Sequence, residues 1–268
     1  MTMTITILGC GSSGGVPRIG AGWGRCDPEN PKNRRRRCSI LVERQSGSEK
    51  TVIVVDTGPD LREQLLSINA RRLDAVLYTH EHADHTHGID DVRPMVIEMR
   101  RLMPVYATAE TARSLKAKFS YCFDTPPGSD YPQIVAHHPI ESYEEVAISG
   151  PGGTIRAMPF SVSHGDTPTL GFRFGAVAYT PDINGVDQRA IDHLEGLDVW
   201  IIDALRHTPH PSHFSYQEAL HWINRLKPKR AILTNLHTDM DYETLRAELP
   251  ENISPAYDGL QVPVTGHL

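Results

Sequence analysis

The chain has 268 residues, 39% hydrophobic and 22% charged, with 21 glycines, 20 prolines and a formal net charge of −6. That balance excludes disordered, collagen-like and coiled-coil architectures, and the acidic excess argues against a general nucleic-acid coat protein while leaving room for a local basic patch. No apolar run approaches the roughly 18 residues of a membrane span, and the length suits one α/β domain over residues 1–268.

Met1 to Leu8 lacks the basic start and long apolar stretch of a secretory signal. Thr2 to Leu8 alternates threonine with apolar residues and reads as a first strand. Gly9-Cys-Gly-Ser-Ser-Gly14 after it matches a dinucleotide fingerprint, but the following Gly15-Val-Pro17 cannot open the required helix. The stretch reads instead as a Gly-rich loop, whose backbone N–H groups could line an anion site. Cys10, Cys26, Cys38 and Cys122 show no paired spacing, which suits a reducing compartment and a cytoplasmic location.

Arg34 to Arg37 is either a solvated loop or a phosphate-steering patch. If extended, it sends Arg35 and Arg37 one way and Arg34 and Arg36 the other. Strands are predicted at Ser39–Glu43 and Thr51–Asp56 around a turn at Gly47, then at Asp74–Thr79, Leu197–Asp203 and Arg230–Asn235. Helices are predicted at Asp60–Asn69, Glu110–Lys118, Ser215–Leu226 and Tyr242–Leu249, with Ser215 and Glu218 spaced as a capping box. Hairpin-type connections among the helices favour a mixed sheet, or two sheets covered by helices, over a doubly wound parallel sheet.

Thr79-His-Glu-His-Ala-Asp-His85 carries the strongest signal. His80, His82, Asp84 and His85 fall within six residues after a buried-strand candidate, and imidazole with carboxylate is the ligand set of zinc, manganese or iron. His80 and His82 point to one side of an extended chain and grip one ion; Asp84 and His85 suit a second. One loop cannot close two sites. His164, Asp182 and His237 offer further donors in the same context, a strand followed by an exit loop.

His80-x-His82-x-Asp84-His85, then His164, Asp182 and His237, resembles the metallo-β-lactamase superfamily over nearly the whole chain. Cys10 to Pro17, Asn30 to Arg34 and Asp203-Ala-Leu-Arg206…His210-Pro-Ser-His213 are similar to its phosphodiesterase branch, which contains phosphoribosyl cyclic phosphodiesterase, with the tRNA 3′-end endonuclease more distant. The resemblance implies an α/β fold: an αββα four-layer sandwich of two mixed sheets flanked by helices. It implies two divalent ions per chain (zinc or manganese), one held by His80, His82 and His164, the other by Asp84, His85 and His237, with Asp182 bridging. It makes Asp56 the carboxylate that orients the histidine loop.

Two departures stand out. The branch places its last ligand directly after a Leu-Thr pair, where this chain has Asn235; His237 follows two positions later, and Asp239 is another candidate. The branch's separate cysteine-built zinc site is expected to be absent, because only Cys26 stands near the first loop.

The implied activity is a metal-dependent phosphodiesterase that cleaves small nucleotide or sugar phosphate diesters, cyclic ones included, with a hydroxide supplied between the ions. Asp84 and His213 are the expected catalytic residues, with Ser13 and His213 contacting the substrate phosphate and His207 and His210 shaping the wall. An RNA-end endonuclease and a non-catalytic nucleotide- or metal-binding protein stay open. The expected partner is a small phosphate ester or nucleotide, not a membrane. Nucleic acid is disfavoured for lack of a basic arm, and a homodimer is left open.

Overall fold

A computed structural model describes residues 2–264; Met1, with the amino-terminal signal reading that includes it, and residues 265–268 lie outside the described residues. Among the described residues fourteen strands form two seven-stranded sheets. The first contains β1 (Thr2–Gly9), β2 (Ser39–Ser46), β3 (Glu49–Val55), β4 (Ala75–Leu77), β5 (Met103–Ala107) and β6 (Val135–Pro139). The second contains β7 (Val146–Gly150), β8 (Gly153–Val162), β9 (Thr169–Phe174), β10 (Val177–Thr180), β11 (Val199–Asp203), β12 (Arg230–Thr234) and β13 (Ile253–Pro255). The last strand, β14 (Gln261–Val264), returns to pair with β1.

Both sheets are mixed. From β14 through β1 and β2 to β3 the pairing is antiparallel, and from β3 to β6 it is parallel. The second sheet repeats the scheme, antiparallel from β7 to β10 and parallel from β10 to β13. The β2–β3 hairpin turns at Gly47, whose φ of 61° only a residue without Cβ adopts freely.

Period-two alternation builds the layers. Ile53 and Val55 of β3 face Tyr179 and Ile201 in the core between the sheets, while Val52 and Val54 face outward. That outer face is covered by α1 (Leu61–Ser67), α3 (Arg93–Met99), α4 (Ala109–Lys118) and α5 (Ser120–Phe123), which pack Leu61, Met95, Leu115 and Cys122 against it. The outer face of the second sheet, with Ala178, Trp200 and Ile202, is covered by α6 (Gln188–Leu194), α7 (Tyr216–Leu226) and α8 (Tyr242–Glu248). Each large apolar side chain buried this way contributes roughly 1.5–3 kcal/mol, so the three apolar layers hold two sheets and two helical coats together. The αββα sandwich that the resemblance implies is the fold observed.

The expected strands and helices are present with shifted ends: β2 runs on to Ser46 and β3 starts at Glu49, while the strand expected over Asp74–Thr79 is Ala75–Leu77. Helix α7 begins at Tyr216 because Ser215 is its cap: the Glu218 N–H donates to Ser215 Oγ, and Ser215 N–H donates to Glu218 Oε2 at 2.8 Å. The four cysteines are buried free thiols. Among the described residues no helix is long and apolar enough to cross a membrane.

Candidate metal centre

The site gathers where strands end. Asp56 follows β3, His80 lies past β4, His164 follows β8, Asp182 follows β10, Asp203 closes β11 and Asn235 follows β12. Carboxyl ends of neighbouring strands, where sheet direction changes, leave a crevice into which exit loops project side chains. His82 keeps extended backbone and caps the one-turn helix α2 (Ala83–Thr86), so His80 and His82 precede the turn while Asp84 and His85 ride on it.

Hydrogen bonds aim the rings. His85 Nδ1–H donates to Asp56 Oδ2 at 2.8 Å, and Thr79 donates to the same carboxylate through its N–H (2.9 Å) and hydroxyl (2.8 Å). His80 Nδ1 lies 2.9 Å from the Thr79 hydroxyl, which ties this ring to Asp56 as well. His164 Nδ1–H donates to the Ser212 carbonyl at 2.6 Å. Each ring thereby spends one nitrogen on a holder and turns the other inward, the arrangement a ligating imidazole needs.

One donor atom each from His80, His82, His164 and Asp182 lies within 4.8 Å of the others. His80 Nε2 and Asp182 Oδ1 are buried without a hydrogen-bond partner, a costly condition for polar atoms unless a cation or proton joins them. His164 Nε2, with its Nδ1 committed, sits 3.3 Å from His82 Nδ1. On the other side of Asp182, His85 Nε2 is 3.2 Å from Asp182 Oδ1 and 3.4 Å from Asp84 Oδ2. The four donors His80, His82, His164 and Asp182 therefore fit one metal ion, while His85 and Asp84 stand on the other side of Asp182.

Burial lowers the pKa of His80, with His85 adding to the effect, and lowers that of His164, so both are neutral donors. Burial would raise Asp182, yet His85, His80 and His213 hold it well below the ordinary carboxylate range. Burial acts likewise on Asp84, and His85 outweighs it. Burial opposes the charge on His85, but Asp182, Asp84 and Asp56 push its pKa well above the ordinary histidine range, so an ion on that side would take the place of its Nε2 proton.

His213 lies across the cavity, its ring 4.6 Å from His164. Its Nδ1–H donates to Asp203 Oδ2 at 2.7 Å, and the Asn235 amide lies 3.1 Å from the same nitrogen. Burial opposes the charge on His213, but Asp203 pushes its pKa up to about 9; burial pushes Asp203 up to about 7, against the pull of His213. Asp203 was not assigned a role from sequence, since only the fold reveals that the end of β11 lies under His213.

His237 stands elsewhere. Asn235 adopts a left-handed φ of 61°, Leu236 turns into the core, and His237 emerges on the rim. There its Nε2 meets Arg18 Nη1 at 2.6 Å and its Nδ1 meets Asp239 Oδ1 at 3.1 Å. Its imidazole nitrogens are thus engaged by Arg18 and Asp239 instead of the Asp84–His85 side.

Ser13 is exposed on the cavity rim, whereas Ser12 is buried with its Oγ unpartnered. His210 lines the wall, and the exposed His207 N–H donates to Asp239. The Gly-rich loop opens no helix; a Cβ at Gly9 would sit 2.0 Å from the Arg37 carbonyl, so glycine is needed for close passage of two backbone segments. The arginine run is not a patch at this centre. Arg35 is buried, Arg36 pairs with Asp258, Arg37 pairs with Asp60, and the run lines a separate cleft.

A family model described as a Beta-lactamase superfamily domain matches residues 51–235, from β3 to the exit of β12. This chain belongs to the metallo-β-lactamase superfamily. The superfamily member is 36% identical to a structure described as a new diphosphatase from the PhnP family, with a TM-score of 0.87 over 98% of this chain and 97% of the other. Zinc-bound PqqB from Methylobacterium extorquens shares the fold, with a TM-score of 0.71, 18% identity and coverage of 97% and 99%. An octanoyltransferase of Porphyromonas gingivalis (strain ATCC BAA-308 / W83) is 32% identical over 264 residues, 97% of this chain and 51% of that protein. The chain therefore spans about half the length of that relative.

Proposed function

We propose that this member is a metal-dependent phosphodiesterase that cleaves small nucleotide or sugar phosphate diesters, with two zinc or manganese ions held on either side of Asp182. The observation that carries the reading is the placement of His213 opposite a metal-binding cluster, held by a buried carboxylate. His80, His82, His164 and Asp182 would hold one ion; Asp84, His85 and Asp182 would hold the other. Such ions act as Lewis acids on a phosphoryl oxygen and bring the pKa of water from 15.7 to about 7.

The protein's own contribution is orientation and proton delivery. Asp56 fixes the ring planes of His80 and His85 through Thr79 and its own oxygens. Asp203 keeps a proton on His213 at neutral pH, and His213 Nε2, 3.9 Å from Asp182 Oδ2, faces the same space as the donors. An imidazolium there can pass its proton to a departing alkoxide. The likeness to a structure described as a PhnP-family diphosphatase supports a phosphorylated substrate.

The test is hydrolysis of bis-p-nitrophenyl phosphate with added zinc or manganese. Turnover that falls at least 100-fold in both His82→Ala and Asp182→Asn is expected. Absence of turnover in the wild type under both metals would discard the reading.

A further inference from the structure

A second cleft, of about 330 Å³, opens between α8, β13, the start of β12 and the short turn Pro31–Asn33. None of its lining residues lines the metal-bearing cavity, so what it binds is independent of the phosphodiesterase reading. Three cations converge on it: Lys32 from the turn, Arg230 from β12 and Arg246 from α8.

Among the described residues none of the three is neutralised. The Lys32 ammonium lies over two aromatic faces, 4.3 Å from the Tyr242 ring centre and 5.1 Å from that of Tyr257. A ring face orients a cation and leaves its charge in place. The Arg230 guanidinium donates to the Ser254 hydroxyl at 3.4 Å, a neutral partner, and the Arg246 guanidinium has no partner among the described residues. Glu251 is the one carboxylate on the cleft wall and pairs with none of them. By contrast, Arg36, Arg37, Arg156 and Lys229 each meet a carboxylate. Three like charges gathered in one concavity of an acidic protein focus a positive potential there.

We infer that this cleft binds a small, multiply phosphorylated anion, and that the bound anion stiffens the turn carrying His237 at the mouth of the metal-bearing cavity. The guanidinium forks of Arg230 and Arg246 match phosphate oxygens in pairs, and Lys32 adds a point charge. The volume suits a compact bisphosphate, not a polymer. The link to the rim runs through buried side chains. Tyr242 N–H donates to Asn33 Oδ1 at 2.8 Å, and Asn33 Nδ2 donates to Asp241 Oδ2 at 2.7 Å. Arg35, itself buried, donates to Asn33 Oδ1 at 3.2 Å and to Cys26 Sγ at 3.8 Å. Arg25 N–H donates to the Thr238 carbonyl at 2.7 Å, beside His237. Lys32 adjoins Asn33 in the chain, so an anion that pins Lys32 against α8 also pins the segments 25–35 and 237–242 to each other.

The test is isothermal titration of the metal-loaded full chain with fructose 1,6-bisphosphate and fructose 6-phosphate at low salt. The wild type is expected to bind the bisphosphate about tenfold more tightly than the monophosphate. Arg246→Ala and Lys32→Met, both changes at the cleft surface, should each weaken bisphosphate binding about fivefold or more, and Arg246→Lys should recover part of the loss. His82→Ala should leave the affinity unchanged. Equal wild-type affinity for the two sugars overturns the inference. So does binding that survives Arg246→Ala and Lys32→Met, or that His82→Ala abolishes, since the ligand then sits in the metal-bearing cavity. Displacement of the bisphosphate by an equimolar hexaglutamate peptide would make the cleft a polypeptide surface and overturn the small-anion assignment. Hydrogen exchange should slow in segments 25–35 and 237–242 when the bisphosphate is bound; unchanged exchange there, with binding intact, overturns the coupling to the rim.

Discussion

Asp203→Asn isolates the proton-holding element of the site. The residue is fully buried and accepts from His213 Nδ1–H at 2.7 Å and from Ile183 N–H at 3.1 Å. The amide keeps the shape and removes the charge that holds His213 at about 9. A return of His213 to its unperturbed value near 6.5 corresponds to about 3 kcal/mol of lost preference for the imidazolium. The sign is that of a raised histidine: the wild-type ring is protonated below its folded pKa and loses the proton as pH rises through it. At pH 7.5 the protonated fraction would drop from roughly 97% to roughly 9%. The direct assay is NMR titration of the His213 ring C–H in metal-free protein, where the midpoint should fall below about 7 in the variant. The kinetic assay compares esters with alkyl and p-nitrophenyl leaving groups. An alkoxide needs the proton, so hydrolysis of the alkyl ester should slow about 100-fold, while p-nitrophenolate, stable as an anion, should leave with a much smaller loss. An unchanged NMR midpoint, or equal loss on both esters, would refute the assignment of His213 as the acid.

Two further perturbations probe other levels of the structure. Burial alone would raise the Asp74 carboxyl, but hydrogen bonds from Arg72 and Val52 N–H, with the charge of Arg101, hold it below the ordinary range. Its contribution is therefore present above the unfolded pKa and lost as pH falls through the lower folded value; Asp74→Asn should cost about 2 kcal/mol at pH 7, and urea melts that show the same deficit at pH 2.5 would contradict this. Asn235→His places an imidazole beside His213 at a left-handed position that histidine tolerates, so a second zinc ion should bind at least tenfold more tightly by calorimetry, and an isotherm identical to wild type would sink the idea that the three-donor side is the weaker one.

The sequence was most informative where chemistry is local. His80 to His85 could be read because all four donors lie within six residues, and Ser215 with Glu218 because a capping box spans three residues. The β-branched apolar run at Thr51–Asp56 revealed a strand without any long-range information, though not which of its side chains faces which layer. His164 and Asp182 were legible as ends of strands, and the resemblance supplied their order.

What sequence spacing could not determine is direction after a strand ends. The left-handed turn at Asn235 and the burial of Leu236 carry His237 onto the rim beside Arg18. The arginine run reads as one basic feature, yet Asp60 and Asp258, far apart in sequence, claim two of its members and the interior takes a third. Asp203 acquires its role only because parallel pairing of β11 with β12 brings Asp203 beside Thr234, one residue before Asn235, under His213. Local patterns fix what each segment becomes, since their energies come from neighbours in the chain; the partners of a charged or ligating side chain are set by which strand ends the packed sheets bring together.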